Sequence, residues 1–355
     1  MHQKMSKDTA RKAADIVLSS PQNSISVEFQ GGEPLLNFDV IQYIVKYLET
    51  NKKSKEIQYS IVTNLLLLSE NMIQFFKKYS ICISTSLDGD GILHNSNRMF
   101  ANGIGSFDAV IDGIKRLRNA GINVGAIETT TKNSLSKYKE IVDTYISLNF
   151  NTVFLRPLSP LGCAGKKWNE IGYSAEDYVA FYRNAMDYII QKNKDGYNIQ
   201  ENYTSILLSK ILHAFPANYM ELRSPCGACT GQMAYYVNGD IFTCDEGRML
   251  YEMGDASFKV GNVFDDDYKG CIKSSVCRTV SLASVLESAP GCCDCAFQPY
   301  CGICPVTNKA LYNDLLPKMP NDYKCSINKG ILSYIFEKIY SGDVETIQIL
   351  NRWNV

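Results

Sequence analysis

Eight of the thirteen cysteines form an ordered series from Cys226 to Cys325. Cys226-x2-Cys229 is followed by fourteen residues and Cys244; then come Cys292-x2-Cys295-x5-Cys301-x2-Cys304, and finally Cys325. Two CxxC pairs with further cysteines nearby, all in chain rich in Gly and Pro, suit thiolates closing on inorganic centres. No His lies among them, so the expected ligands are all sulfur. Eight sulfurs make two sites of four, which fits two iron–sulfur clusters or two structural zincs. Disulfides fit poorly, because the stretch Met1–Ser20 is too charged to be a secretory segment. Spacing alone leaves zinc and clusters both open.

A chain of 355 residues can bury a large core and is expected to form two domains. Its 45% hydrophobic and 21% charged residues describe an ordinary soluble globular protein. A formal net charge of −1 supplies no field that would draw it to nucleic acid or to acidic lipid. Lys52, Lys53 and Lys55 read as a solvated face. No apolar run reaches transmembrane length, and cysteine usage of this kind implies a reducing cytoplasm.

The elements that must position the chemistry lie mostly in the first half. Ser6 to Ser19 reads as a helix with Ser6 as N-cap. Strands are expected at Ser24–Gln30, Ile57–Thr63, Ile81–Leu87, Ile122–Thr130 and Asn151–Leu155. Helical stretches fall between them, from about Asn37, over Glu70–Lys78, from Ser106 to Gly121, and around Leu135–Tyr145. Such alternation specifies βαβ units and a parallel sheet, a partial barrel. Polar residues gather where strands end: Gly31-Gly-Glu-Pro34, Thr63-Asn64, Ser86-Leu-Asp-Gly89 and Arg156. That is the active face of an α/β barrel. Paired glycines let backbone N–H groups approach a ligand closely, and Glu33 offers a carboxylate to an ammonium group. Cys82, on an alternating strand, reads as core, and Cys163 as part of a turn.

Glu28-Phe-Gln-Gly-Gly-Glu-Pro-Leu-Leu36, Ser86-Leu-Asp-Gly89 with His94 and Arg98, and the C-terminal cysteine series resemble the radical S-adenosylmethionine (SAM) enzymes with a SPASM extension. These are peptide maturases that include the anaerobic sulfatase maturases. Phe29 to Asn37 together with Leu155-Arg-Pro-Leu-Ser-Pro160 look most like maturases of His-Xaa-Ser peptide systems. The resemblance implies a partial (β/α)6 radical SAM barrel over 1–215, a SPASM iron–sulfur domain over 216–335 and a helical tail over 336–355. It implies that Gly31, Gly32, Glu33 and Pro34, with Ser86 and Arg98, bind SAM, and that Thr63, Asn64, Asp88 and Leu155 line the pocket. It assigns Cys226, Cys229, Cys244 and Cys304 to one auxiliary 4Fe–4S cluster and Cys292, Cys295, Cys301 and Cys325 to a second. Asp245 matches an acid that acts as base on the substrate. The expected partners are a peptide or protein substrate and an electron donor such as flavodoxin or ferredoxin, with no nucleic acid and no membrane.

Three features depart from the family pattern. Two residues rather than three separate Cys301 from Cys304, and Cys293 is an extra neighbour. The CxxxCxxC that holds the SAM-cleaving cluster is absent, since no cysteine precedes Cys82. The expectation is therefore a truncated barrel without its first strand. Two alternatives stay open: a non-catalytic protein that binds peptide or passes electrons through its clusters, and a zinc-stapled binding module.

Overall fold

The computed structural model describes residues 4–215, 219–317 and 322–353. The expected boundary at 216 falls on 216–218 and the expected tail ends on 354–355, so both lie outside the described residues. Two compact units divide the chain. The first comprises Met1–Ile127, Tyr235–Phe242 and Val260–Ile272; the second comprises Glu128–Ala234, Thr243–Lys259 and Lys273–Val355.

In the first unit α1 (Lys7–Ser19) begins at Ser6, whose side chain accepts the N–H of Thr9. Then follow β1 (Ser24–Phe29), α2 (Phe38–Asn51), β2 (Glu56–Val62), α3 (Glu70–Lys78), β3 (Cys82–Ser86), α4 (Gly91–Asn97), α5 (Phe107–Asn119) and β4 (Val124–Thr130). β1 pairs in parallel with β2, β2 with β3, and β3 with β4. Among the described residues β1 is an edge strand. α2 turns Val40, Ile41, Val45 and Leu48 inward, as its periodicity requires. Val45 and Leu48 are fully buried, a gain of about 1.5–3 kcal/mol each over exposure.

Two expectations about side chains fail here. Cys82 is exposed, because Ile81, Ile83 and Thr85 take the buried phase of the strand. Lys55 is more than a solvated charge: its Nζ donates to the carbonyls of Ser20 at 2.6 Å and Gln22 at 2.7 Å, clamping the turn before β1.

In the second unit the end of β4 pairs with β6 (Leu155–Pro157), also in parallel, through Glu128↔Leu155. α6 (Tyr138–Ser147) precedes β5 (Thr152–Val153), so the expected fifth strand is broken at Phe154. β5 turns aside to pair with β7 (Gln200–Glu201). Between β6 and β7 lie α7 (Gly162–Lys166), α8 (Trp168–Ile171) and the twenty-residue α9 (Ala175–Lys194). Cys163 sits in α7, exposed, rather than in a turn. α9 opens with a capping box between Ser174 and Asp177 and buries Tyr178, Phe181, Tyr182, Ala185, Met186, Ile189 and Ile190. It packs against α6, α15 (Tyr323–Tyr340) and α16 (Val344–Arg352).

α10 (Asn202–His213) is capped by buried Glu201, which accepts the N–H groups of Tyr203 at 3.1 Å and Thr204 at 2.6 Å and the hydroxyl of Tyr182 at 2.7 Å. Burial pushes the Glu201 carboxyl up, which those three donors partly offset. The remaining elements are β8 (Ala234–Tyr235), β9 (Asp240–Phe242), α11 (Asp245–Glu252), β10 (Lys259–Asn262), α12 (Tyr268–Lys273), α13 (Ser275–Ala283) and α14 (Pro305–Tyr312). β8, β9 and β10 form a small sheet with β9 central. Among the described residues no helix is long and apolar enough to cross a membrane.

Candidate functional site

The Gly31-Gly-Glu-Pro34 loop leaves β1 with Gly31 at φ +146°, a conformation that L side chains rarely adopt. Nothing lies within 4 Å of where a Cβ would stand at Gly31 or Gly32, and both residues are exposed. The two glycines therefore present bare backbone to open space. Glu33 is turned the other way and fixed. One carboxylate oxygen accepts the N–H of Leu35 at 3.0 Å and the Thr63 hydroxyl at 2.7 Å; the other accepts the N–H of Asn64 at 2.9 Å. A carboxylate has about four lone-pair sites, so Glu33 retains acceptor capacity for one more donor.

Thr63 and Asn64 thus tie the end of β2 to the loop after β1. The chain just beyond is strained to do so. Leu65 is buried at φ +62°, held by an N–H bond to Thr63 Oγ1 at 3.2 Å. Gly113 of α5 makes room for it, since a Cβ there would lie 2.8 Å from Leu65 Cβ.

Ser86 ends β3 half-buried. Beyond it Asp88 is buried, and Arg98 grips it with both prongs, Nε to Oδ2 at 2.8 Å and Nη2 to Oδ1 at 3.1 Å. Asn97 adds a bond to Oδ2 at 3.3 Å. Asp88 is thus a partner of Arg98, and the guanidinium has three N–H groups outside that bond.

Buried His94 braces the pair. Its Nδ1 accepts the N–H of Asp88 at 3.4 Å, and its Nε2 lies 3.1 Å from Ser106 Oγ. Ser106 spends its hydroxyl hydrogen on the Arg98 carbonyl at 3.0 Å, so Nε2 must carry the imidazole proton. Burial lowers the His94 pKa, as does Arg98, against the pull of Asp88.

The eight cysteines of the ordered series belong to the second unit. Cys226, Cys244 and Cys304 share one packed cluster with Leu250, Phe258, Val280 and Val306, and Cys229 is buried as well. Cys292, Cys295, Cys301 and Cys325 line one shallow recess. Cys304 also borders an adjoining recess with Cys292, Cys301 and Cys325. The two sets of four meet at Cys301-Gly-Ile-Cys304. Gly302 is required there, because a Cβ would stand 1.8 Å from the Glu221 carbonyl oxygen. Among the described residues no three His, Cys, Asp or Glu side chains are grouped as ligands of a single metal ion.

Burial pushes the thiols up, Cys226 and Cys325 to about 11 and Cys244 well above its usual range. Such sulfurs are poor thiolates unless an inorganic cation offsets the charge. All-sulfur donors, buried or at the rim of a recess, fit iron–sulfur centres in their chemistry.

Asp245 starts α11, and Arg248 donates to its Oδ1 from Nε and Nη2, both at 2.8 Å. Charged residues that spacing had not singled out stand near Cys304. Lys324 pairs with Glu221, and each raises or lowers the other toward its charged form against the pull of burial. Glu246 is pushed up by burial and then by Glu221. Their adjacency to Cys325 and Asp245 was the available signal; their proximity across 103 positions was not legible.

Residues 2–143, well under half of the chain, match the family described as the radical SAM superfamily. A cysteine-type anaerobic sulfatase-maturating enzyme of Clostridium novyi is 24% identical over 322 residues, covering 89% of this chain and 81% of that protein. An uncharacterised protein of Methanocaldococcus jannaschii is 33% identical over 152 residues, 43% of this chain and 52% of its own length. The structure of native anSMEcpe with bound AdoMet superposes with a TM-score of 0.81 at 20% identity, covering 98% of this chain and 91% of that one. A second, with AdoMet and Kp18Cys peptide, gives 0.82. The fold is thus the parallel half-barrel of those structures. Residues 2–143 are thus similar to the radical SAM superfamily, and the chain shares the fold of those structures.

Proposed function

We propose that this protein is a radical SAM maturase of a peptide or protein substrate, with SAM seated at Gly31-Gly-Glu-Pro34 and two auxiliary 4Fe–4S clusters on the cysteine sets named above. The observation that carries the reading is the division of labour in the loop. Gly31 and Gly32 face open space while Glu33 is anchored by three donors with one acceptor site left. A methionine ammonium would take that site. Ser86 and the N–H groups of Arg98 outside its pair with Asp88 would serve the rest of SAM, and Thr63 and Asn64 would hold Glu33 in place. The relatives add support, because the sulfatase-maturating enzymes act on protein and two neighbouring structures hold a peptide. SAM, when reductively cleaved, would supply the radical chemistry; the auxiliary clusters would take up an electron or help place the substrate, and the chain would supply orientation, exclusion of water and Asp245 as base. The domains would divide at 1–215, 216–335 and 336–355, with flavodoxin or ferredoxin as electron donor.

Calorimetry of anaerobically reconstituted protein with SAM tests this. Weak binding is expected, weaker still in Glu33→Ala; binding indifferent to Glu33 would refute the seat. The alternative reading is a non-catalytic iron–sulfur protein that binds peptide. That reading predicts no 5′-deoxyadenosine when the reduced protein meets SAM.

A further inference from the structure

Two residues of the first cysteine set stand at helix N-caps. Cys244 caps α11, where its Sγ accepts the N–H of Gly247 at 3.4 Å and lies 3.6 Å from Thr243 Oγ1. Cys304 precedes α14, where its Sγ accepts the hydroxyl of Thr307 at 3.3 Å. Thr307 is buried, 6% exposed, so its hydroxyl has no bulk water to turn to. A helical Thr ordinarily returns its hydroxyl hydrogen to a carbonyl three or four residues back. Here the hydrogen goes to the sulfur of the residue three back. In the second set Cys325 stands in the first turn of α15, and there the Asp322 carboxylate, not a sulfur, accepts the Cys325 N–H at 2.8 Å. Its sulfurs draw instead on Asn328, whose Nδ2 donates to Cys301 Sγ at 3.5 Å.

We propose that Thr307 sets the reduction potential of the centre held by Cys226, Cys229, Cys244 and Cys304, through the hydrogen bond from its hydroxyl to Cys304 Sγ. The proposal rests on the iron–sulfur reading of that set. Reduction adds one negative charge, which spreads onto the ligand sulfurs. A donor aimed at a sulfur stabilises the reduced form more than the oxidised one and raises the potential. Thr307 is then a positioning residue that acts through Cys304 and touches no substrate. Asn328 is the corresponding donor of the other set, so each centre has its own adjustable contact.

The experiment is an anaerobic redox titration of the reconstituted full chain, followed by electron paramagnetic resonance, for wild type, Thr307→Val, Thr307→Ser and Asn328→Leu. In Thr307→Val one centre should lose three- to tenfold in its one-electron reduction constant, tenfold being 59 mV. The other centre should stay in place, and Thr307→Ser should restore the wild-type value. Asn328→Leu should lower only the other centre. In wild type exchanged into D2O, the reduced first centre should couple to an exchangeable deuteron that Thr307→Val lacks. Unchanged potentials in Thr307→Val with both centres intact would overturn the proposal, as would the absence of that deuteron from wild type. If Thr307→Val takes up less iron, the wild-type deuteron measurement decides. Wild type that takes up zinc and no iron would instead refute the cluster reading on which the proposal rests.

Discussion

Arg98 and Asp88 allow a quantitative test of what the loop after β3 is built to do. Replacing Arg98 with Met removes both prongs of the grip and leaves the Asp88 carboxylate, 1% exposed, without its cation. Breaking a fully buried pair costs about 3–5 kcal/mol. The Arg98 side chain is 35% exposed, so solvent already screens part of the interaction, and about 2 kcal/mol is the better figure. The loss should be local, because Asp88, His94, Asn97, Arg98 and Ser106 bond mainly to one another. Hydrogen–deuterium exchange read by mass spectrometry on peptides covering 88–106 is therefore the assay. At about 1.4 kcal/mol per decade, 2 kcal/mol is about thirtyfold faster exchange there, with β1 and β2 unaffected. Asp88→Asn should accelerate exchange less than Arg98→Met, since it leaves a half-exposed cation instead of a buried anion. Protection within threefold of wild type in Arg98→Met would refute the reasoning, as would a larger loss in Asp88→Asn.

His94 should titrate below its ordinary pKa of about 6.5, because burial depresses it. The unfolded chain binds the proton first, so the stability His94 contributes is complete above about pH 6.5 and is lost as pH falls below it. With only three histidines in the chain, nitrogen-15 spectra should show one that keeps its Nε2–H tautomer through pH 6.5; titration at or above that value would contradict the geometry. Cys325→Ala should lower the iron content of reconstituted protein by about one cluster of two, and zinc with no iron in wild type would end the cluster reading.

Local signals served well where one element decides its own shape. The helix at Glu70–Lys78 has the bounds expected of it, with Ser69 as cap, and β1 to β4 lie within a residue or two of expectation. α9 was not among the expected elements, although its Ser174 capping box and the spacing of Tyr178, Phe181, Tyr182, Ala185 and Met186 are local signs of it. α4 was hidden, since Gly91 and two asparagines argue against a helix that Asp90 caps through the N–H of Leu93. Cys82 was misassigned because a six- or seven-residue alternation fixes the period of a strand but not which phase faces the core. The break at Phe154 depends on β7, some forty-five residues on. At the candidate site, the glycines and Glu33 were legible from type and position. The grip of Asp88 on Arg98 and the closeness of Lys324 to Glu221 were not, because side-chain pairing across loops follows from the assembled fold.

The joint at Cys301-Gly-Ile-Cys304 has a consequence for how the protein is made. Each four-sulfur set draws on distant stretches of chain: Cys304 completes the one begun at Cys226, and Cys325 the one begun at Cys292. Synthesis at about 5–20 residues per second leaves roughly 5–20 s between the emergence of Cys226 and that of Cys325. The sheet from β1 to β4 precedes both sets in the chain and needs neither. If the proposed sets hold clusters, the nascent chain carries unsatisfied thiols until Cys304 and then Cys325 emerge, and each cluster waits for the last of its own four sulfurs.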